Sequence, residues 1–374
     1  MVVYAVGVLV LSLGIEVLGG DVGSDSNRCA FPAIYNFGDS NSDTGAISAA
    51  FTRVHPPNGE SFFGTDLSGR FCDGRLLIDF ITEELKLPYL SAYLNSVGSD
   101  YRRGANFATG GSSIGPGGYS PFNLGIQVPQ FIQFKSRTDL LFNQLSQNGT
   151  DSPFKSNLPR PEDFSKALYT FDIGQNDLAF GFQHTTEEQV RASIPNILTL
   201  FSQALQQLYN QGARFFWIHN TGPIGCLPYN FIYYKSKQGN LDANGCVKPQ
   251  NEIAQEFNRQ LKDLVSQLRT KLSLAKFTYV DVYSAKYQLI SNARSQGFVN
   301  PLEFCCGSYY GYHIDCGKKA IINGTVYGNP CRNPSQHVSW DGIHYSQAAN
   351  LWIAQRILHG SFSDPPVPIG QACF

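Results

Sequence analysis

Short unbroken apolar runs along the chain alternate with longer stretches in which apolar residues return every three or four positions. Five runs have the first character, at 33–37, 104–108, 167–171, 214–219 and 277–282. Continuous aromatic and β-branched runs of this length predict parallel strands covered on both faces. Helical spacing lies between them. Val190, Ile194, Ile197, Leu198, Phe201, Leu205 and Leu208 put one apolar stripe on a helix starting near Thr185, where Glu188 completes a capping box, and ending at Gly212. Pro195 within it predicts a kink or a break. A second stripe joins Ile253, Phe257, Leu261, Leu264 and Leu268, and a last helix is expected over 346–358. Such alternation predicts a doubly wound α/β sheet with right-handed crossovers. The stretches 110–121 and 143–161 read as surface loops inside one domain covering 26–374.

Residues 2–18 are nearly all apolar, and small and acidic residues follow as far as Asn27. This reads as a secretory signal over residues 1–25, although Glu16 interrupts it and no basic residue precedes it. A buried N-terminal helix is the alternative; the run is too short for an integral membrane span. Lys and Arg number 28 against 29 Asp and Glu, so no basic field exists to attract nucleic acid or an anionic membrane. Nothing calls for an obligate protein partner.

Nine cysteines without zinc-finger spacing argue for disulfides rather than a metal, and hence for a secreted protein. Cys226 with Cys246, and a bridged cluster within 305–331, are the expected pairings; an odd count leaves one thiol over. Asn148 and Asn323 open glycosylation sequons, whereas Asn333 is barred by Pro334.

Four blocks carry candidate chemistry. In an open parallel sheet, function gathers at the carboxyl ends of the strands. Gly38-Asp39-Ser40 follows the first run there, offering a nucleophile. Gly110-Gly111 follows the second run and Gly174-Gln175-Asn176-Asp177 the third; glycine amides and an asparagine side chain can donate to one developing oxyanion. Asp341 and His344, three apart before the last helix, suit an orienting carboxylate and a base. His219 is the only rival base, with core or pocket lining its expected role. Gly111-Ser112-Ser113-Ile114-Gly115 fits the nucleophile-elbow pattern, but Pro116-Gly117-Gly118 follows where that elbow needs a helix, so Ser113 is rejected.

With these residues in view, the sequence resembles the plant GDSL esterase/lipase family of the SGNH hydrolases over roughly 30–370, in its early-nodulin-like and acetylesterase-like subgroup. Asn36 to Gly45 matches the family's first block. Arg70-Phe71-Cys72-Asp73-Gly74-Arg75, Thr221 to Cys226 and Cys305-Cys306-Gly307 are further family-like segments. The resemblance implies a flavodoxin-like three-layer α/β/α sandwich with a mainly parallel sheet and no cofactor or metal. It implies a Ser40, His344, Asp341 triad, with the Ser40 amide, Asn176 and Gly111 (or Gly110) as oxyanion donors. Cys72, where many relatives have serine, becomes the candidate free thiol. The expected activity is hydrolysis of acetyl or other short-acyl esters of metabolites or wall glycans. A lipase on longer acyl chains, a fucosidase-like glycoside hydrolase and an acyltransferase are the alternatives. The loops 110–121 and 228–245 are expected to shape the acyl and alcohol pockets.

Overall fold

The computed structural model describes residues 28–64, 68–147, 153–234 and 239–373. The signal-like segment and the Asn148 sequon lie outside them.

Each apolar run forms a strand: β1 (Ile34–Gly38), β2 (Gly104–Asn106), β3 (Leu168–Asp172), β4 (Phe215–His219) and β5 (Lys276–Val280). They pair in parallel in the order β5-β4-β3-β1-β2. This is the doubly wound arrangement expected, with the strand order reversing between β1 and β3. Helices cover both faces. On one side α3 (Leu124–Gln147), α5 (Glu187–Asn210) and α7 (Lys248–Lys271) enclose Tyr35, Phe37, Tyr169, Phe171 and Phe216. On the other, α2 (Leu77–Glu84), α8 (Val282–Ser291) and α9 (Gln347–Ile357) cover Ile34, Leu168, Phe215, Trp217 and Val280. The alternation of these residues along each strand is the period-two side-chain pattern of a sheet buried on both faces.

The remaining elements include α1 (Ala46–Ala50) after β1, α4 (Gln175–His184) after β3 and α6 (Pro228–Tyr234) after β4. Between α8 and α9 an insert carries two hairpins, β6 (Ser308–Tyr309) with β7 (His313–Ile314) and β8 (Ala320–Ile322) with β9 (Thr325–Tyr327). Asn323 is exposed at the tip of the second hairpin. A short strand, β10 (Ser363–Asp364), adds an antiparallel edge beside β5. No helix among the described residues is long and apolar enough to cross a membrane.

Cys226–Cys246, Cys305–Cys331 and Cys306–Cys316 are bridged as the spacing and clustering suggested. Cys29–Cys373 is an additional bridge joining the two ends of the described chain. Cys72 is the free, buried thiol.

Two local expectations need correction. The capping box on α5 is Thr186 with Gln189, one residue later than expected, and Pro195 lies inside a continuous helix without breaking it. Proline removes the amide that would bond the Arg191 carbonyl, but Arg191, Pro195 and Asn196 are exposed, so that carbonyl can be hydrated. The stretch 143–161 begins as the last turn of α3 rather than as loop.

Candidate active site

A polar ladder crosses the sheet just below Ser40. Asn36, Asn106 and Thr170 share one register across β2, β1 and β3. Asn36 donates to Asn106 Oδ1 at 2.7 Å and accepts from the Thr170 hydroxyl at 2.7 Å. Asn106 then donates to the Ser42 carbonyl at 2.6 Å and the Thr44 hydroxyl at 2.9 Å, pinning the loop that carries Ser40. At Gly38 an added Cβ would fall 2.6 Å from the Asp172 carbonyl oxygen and 2.4 Å from Ser42 Oγ, so only glycine lets β1 turn there. Asp43 accepts the amides of Gly45, Ala46 and Ile47, capping α1, and that of Gly110 at 2.8 Å. Ser40 thus stands just past the end of β1, at the point where the strand order reverses.

His344 reaches it from the far end of the chain. Its Nε2 lies 2.8 Å from Ser40 Oγ, and its Nδ1 lies 2.6 Å from Asp341 Oδ2. The other Asp341 oxygen accepts the Ile343 amide at 3.0 Å and the His344 amide at 2.7 Å. Burial alone pushes the Asp341 carboxyl up, but the His344 charge and these hydrogen bonds outweigh it and hold the carboxyl below its ordinary range. The disulfide-stapled insert braces this segment: the Cys305 and Cys306 amides donate to the Ser339 and Trp340 carbonyls at 3.2 and 2.6 Å. Phe71 stacks on the His344 ring, centroids 5.2 Å apart. Asp73, two residues on, accepts the Gln347 amide at the start of α9. The segment 70–75 therefore braces the base and its helix, a role its sequence did not disclose.

Asn176 lines a cavity with Ser40, and Gly111 follows β2. Among the described residues the Ser40 and Gly111 amides have no protein acceptor, whereas the Gly110 amide is committed to Asp43. Of the two glycine amides, only that of Gly111 is left without a protein acceptor among the described residues. Gly111 turns the chain at φ +76°, and Asn176 holds the following loop by donating to the Ser112 carbonyl at 2.9 Å. Its amide also donates to Asp39 Oδ2 at 3.1 Å. Asp177 accepts the amides of Ile114 and Gly115, and burial raises its carboxyl to about 6 despite them.

Rival residues sit elsewhere. Ser113 is buried and donates to the Gly115 carbonyl at 2.6 Å, and the loop runs on without a helix until Leu124. His219 is buried beneath the site. Its Nε2 accepts the Trp217 indole N–H at 3.1 Å, so that nitrogen carries no proton and the ring is neutral, with Nδ1–H donating to Asp172 at 3.2 Å.

Cavities open beside the pair. The first, lined by Ser40, Gln175, Asn176, Gly222, Ile224, Leu227, Lys286 and Tyr345, offers about 60 Å³ to the centres of water-sized groups. The second offers about 460 Å³ and is lined by Phe71, Arg53, His55, His313, Asp315, Lys318 and His344. Among the described residues the walls of these two take nothing from 110–121 or 228–245, whereas a smaller cavity beside His344 includes Pro228.

The family described as GDSL-like lipase/acylhydrolase matches residues 34–357. One GDSL esterase/lipase of Arabidopsis thaliana is 55% identical over 356 residues, covering 92% of this chain and 90% of the relative. A second from the same plant is 56% identical over 351 residues, covering 93% and 92%. A protein named alpha-L-fucosidase 3, also from Arabidopsis thaliana, is 51% identical over 349 residues, covering 90% and 92%. With a match of this extent, the chain belongs to the GDSL-like lipase/acylhydrolase family and, with it, to the carboxylic-ester hydrolases.

Proposed function

We propose that this protein is a secreted serine hydrolase that cleaves acetyl or other short-acyl esters, with Ser40 as nucleophile, His344 as base and Asp341 as its orienting carboxylate. The observation that carries the reading is the unbroken relay Ser40–His344–Asp341, with contacts of 2.8 and 2.6 Å. Asp341 accepts from His344 Nδ1–H, which leaves Nε2 free to take the Ser40 proton as Oγ bonds to the ester carbon. The oxyanion so formed is received by the Ser40 and Gly111 amides, and by Asn176 once it gives up one of its two present acceptors, the Ser112 carbonyl or Asp39. His344 returns the proton to the leaving alcohol, and a water activated by the same nitrogen then frees the acid from Ser40.

Cavity size supports a short acyl group. About 60 Å³ of centre volume holds roughly four to six waters. The cavity that meets the nucleophile and Asn176 takes the acyl tail. The larger cavity meets His344 but not Ser40, so it takes the leaving alcohol; its wall mixes Ile47, Val54 and Ile343 with Arg53, Asp315 and Lys318, which suits an alcohol having both apolar and hydroxylated faces, such as a sugar. Four disulfides among the described residues and the exposed Asn323 sequon support export.

Glycoside hydrolysis, prompted by the fucosidase name of one relative, needs two carboxylates free to flank a glycosidic bond. Asp39, Asp177 and Asp341 are each engaged by protein donors. Ser40→Ala should abolish turnover of p-nitrophenyl acetate and labelling by a fluorophosphonate while leaving the fold intact. Esterase activity surviving in that variant would end the proposal, and turnover of a nitrophenyl fucoside by wild type would favour the second reading.

A further inference from the structure

Lys286 on α8 is 4% exposed, yet its ammonium belongs to the cleft beside Ser40 rather than to an ion pair. Among the described residues no acceptor lies within hydrogen-bond distance of Nζ. Its stem lies against Gly222, where an added Cβ would come within 3.0 Å of Cδ and 3.5 Å of Nζ. Nζ stands 4.5 Å from the centre of the Tyr345 ring. An ammonium has three donors and no acceptor, and Nζ is not sealed off but opens to the cavity, where a bound group can take those donors. The ring face meets only one side of it.

The charges around it decide what it can bind. Burial pushes Lys286 down, and the carboxyls of Asp172 and Asp39 pull it back up. Burial and the Asp172 charge push Asp39 towards its neutral form. The His219 hydrogen bond holds Asp172 ionised against its own burial. Lys286 thus has carboxyls behind it and the cavity in front. An anionic group on the substrate would add negative charge beside those carboxyls, whereas an uncharged oxygen takes the donors and adds none. The cavity containing Lys286 also touches Ser40 and Asn176, so the oxygen belongs to the acyl half of the ester.

We propose that Lys286 sets specificity by donating a hydrogen bond to an uncharged oxygen in the acyl group, so that short oxygen-bearing acyl esters are preferred over plain alkanoates. This rests on Ser40 being the nucleophile. The test compares kcat/KM for p-nitrophenyl methoxyacetate and p-nitrophenyl butanoate, whose acyl groups match in heavy-atom count and differ by one oxygen in place of a methylene. The intrinsic activation by that oxygen is common to all enzymes compared and cancels. Lys286→Met should lower the methoxyacetate-to-butanoate ratio by about tenfold or more, the worth of a hydrogen bond from a charged donor. A ratio equal in both enzymes, within about twofold, overturns the inference even if both absolute rates fall, because a purely structural lysine would slow the two esters alike.

A second measurement needs no variant: the wild-type ratio must exceed the ratio for hydroxide-catalysed hydrolysis by about tenfold. A wild-type ratio no larger than that of hydroxide is equally fatal. Wild type inert to both esters refutes the Ser40 reading and this inference with it, whereas active wild type with an unchanged ratio refutes Lys286 alone.

Discussion

Replacing Asp341 with asparagine tests the relay through the tautomer of His344. Asp341 Oδ1 accepts two amides, Ile343 at 3.0 Å and His344 at 2.7 Å, so the carbonyl oxygen of the substituted side chain is obliged to stay there. Its NH₂ group then faces His344 Nδ1, where Asp341 Oδ2 now sits at 2.6 Å. A donor at that position requires Nδ1 to accept, which puts the ring proton on Nε2, facing Ser40. The base is lost although every heavy atom keeps its place. In a serine triad the wrong tautomer costs roughly 10⁴ in kcat, or about 5.4 kcal/mol at 1.36 kcal/mol per decade. Asp341→Ala removes the carboxylate but imposes no tautomer, so it should be less impaired than Asp341→Asn. The assay is kcat for p-nitrophenyl acetate at neutral pH, with fluorophosphonate labelling rates as a second readout. Asp341→Asn retaining activity within about tenfold of wild type, or exceeding Asp341→Ala, would refute the reasoning.

Three further outcomes follow from the packing. Asp177 is raised from 3.8 to about 6, chiefly by burial, so its contribution to stability is fully present below 3.8 and lost as pH rises through about 6. Asp177→Asn, which cannot ionise, should therefore gain on wild type by at most roughly 3 kcal/mol between acid and neutral pH, and a pH-independent difference in urea unfolding would contradict this. Arg70 holds Asp79 through two hydrogen bonds of 2.8 and 2.7 Å, with both side chains buried. Arg70→Met should cost about 3–5 kcal/mol by leaving that buried carboxylate with the Leu76 amide but no countercharge, and Arg70→Met/Asp79→Leu should cost less; a single variant within about 1 kcal/mol of wild type in denaturant titration would argue against it. Burial pushes the Cys72 thiol well up and encloses it, so a thiol reagent should count none in native protein and one per chain in denaturant without reductant.

What the sequence disclosed, and what it hid, divides along physical lines. Strands buried on both faces must be continuously apolar, and all five runs are strands. Asp341 and His344 were visible because three residues suffice for one side chain to reach the other. The helix α3 was not visible, since it carries Pro129 and turns Gln127 inward, and that glutamine bonds both the amide and the carbonyl of Gly38. A polar residue serving a strand end breaks the apolar stripe that periodicity looks for. The α5 cap was ambiguous because Thr185 with Glu188 and Thr186 with Gln189 fit the same pattern. Lys286 did leave a trace: it interrupts the buried stripe of Val282, Tyr283, Leu289 and Ile290. Phe71 left none, because stacking on His344 joins residues 273 apart in sequence, and no local pattern encodes that contact.

The acid preceding the nucleophile poses a harder question than the nucleophile itself. Asp39 is fully buried and accepts from Asn176, the side chain meant to receive an oxyanion. Any two like unit charges roughly 5 Å apart oppose each other by roughly 3 kcal/mol at an effective dielectric near 20, so an ionised Asp39 behind Asn176 would work against an oxyanion in front of it. That is about what one oxyanion donor contributes, roughly 2.7–4 kcal/mol, so the two would cancel. Burial and the Asp172 charge push Asp39 the other way, towards its neutral form. Asp172 in turn stays ionised because His219 donates to it. His219, rejected as a base, therefore acts two contacts away. By fixing the charge on Asp172 it favours the neutral state of Asp39, and Asn176 keeps its aim without a repelling charge behind it. Burial and the charge beneath it thus push this carboxyl towards the form that least opposes an oxyanion, against the hydrogen bonds it accepts.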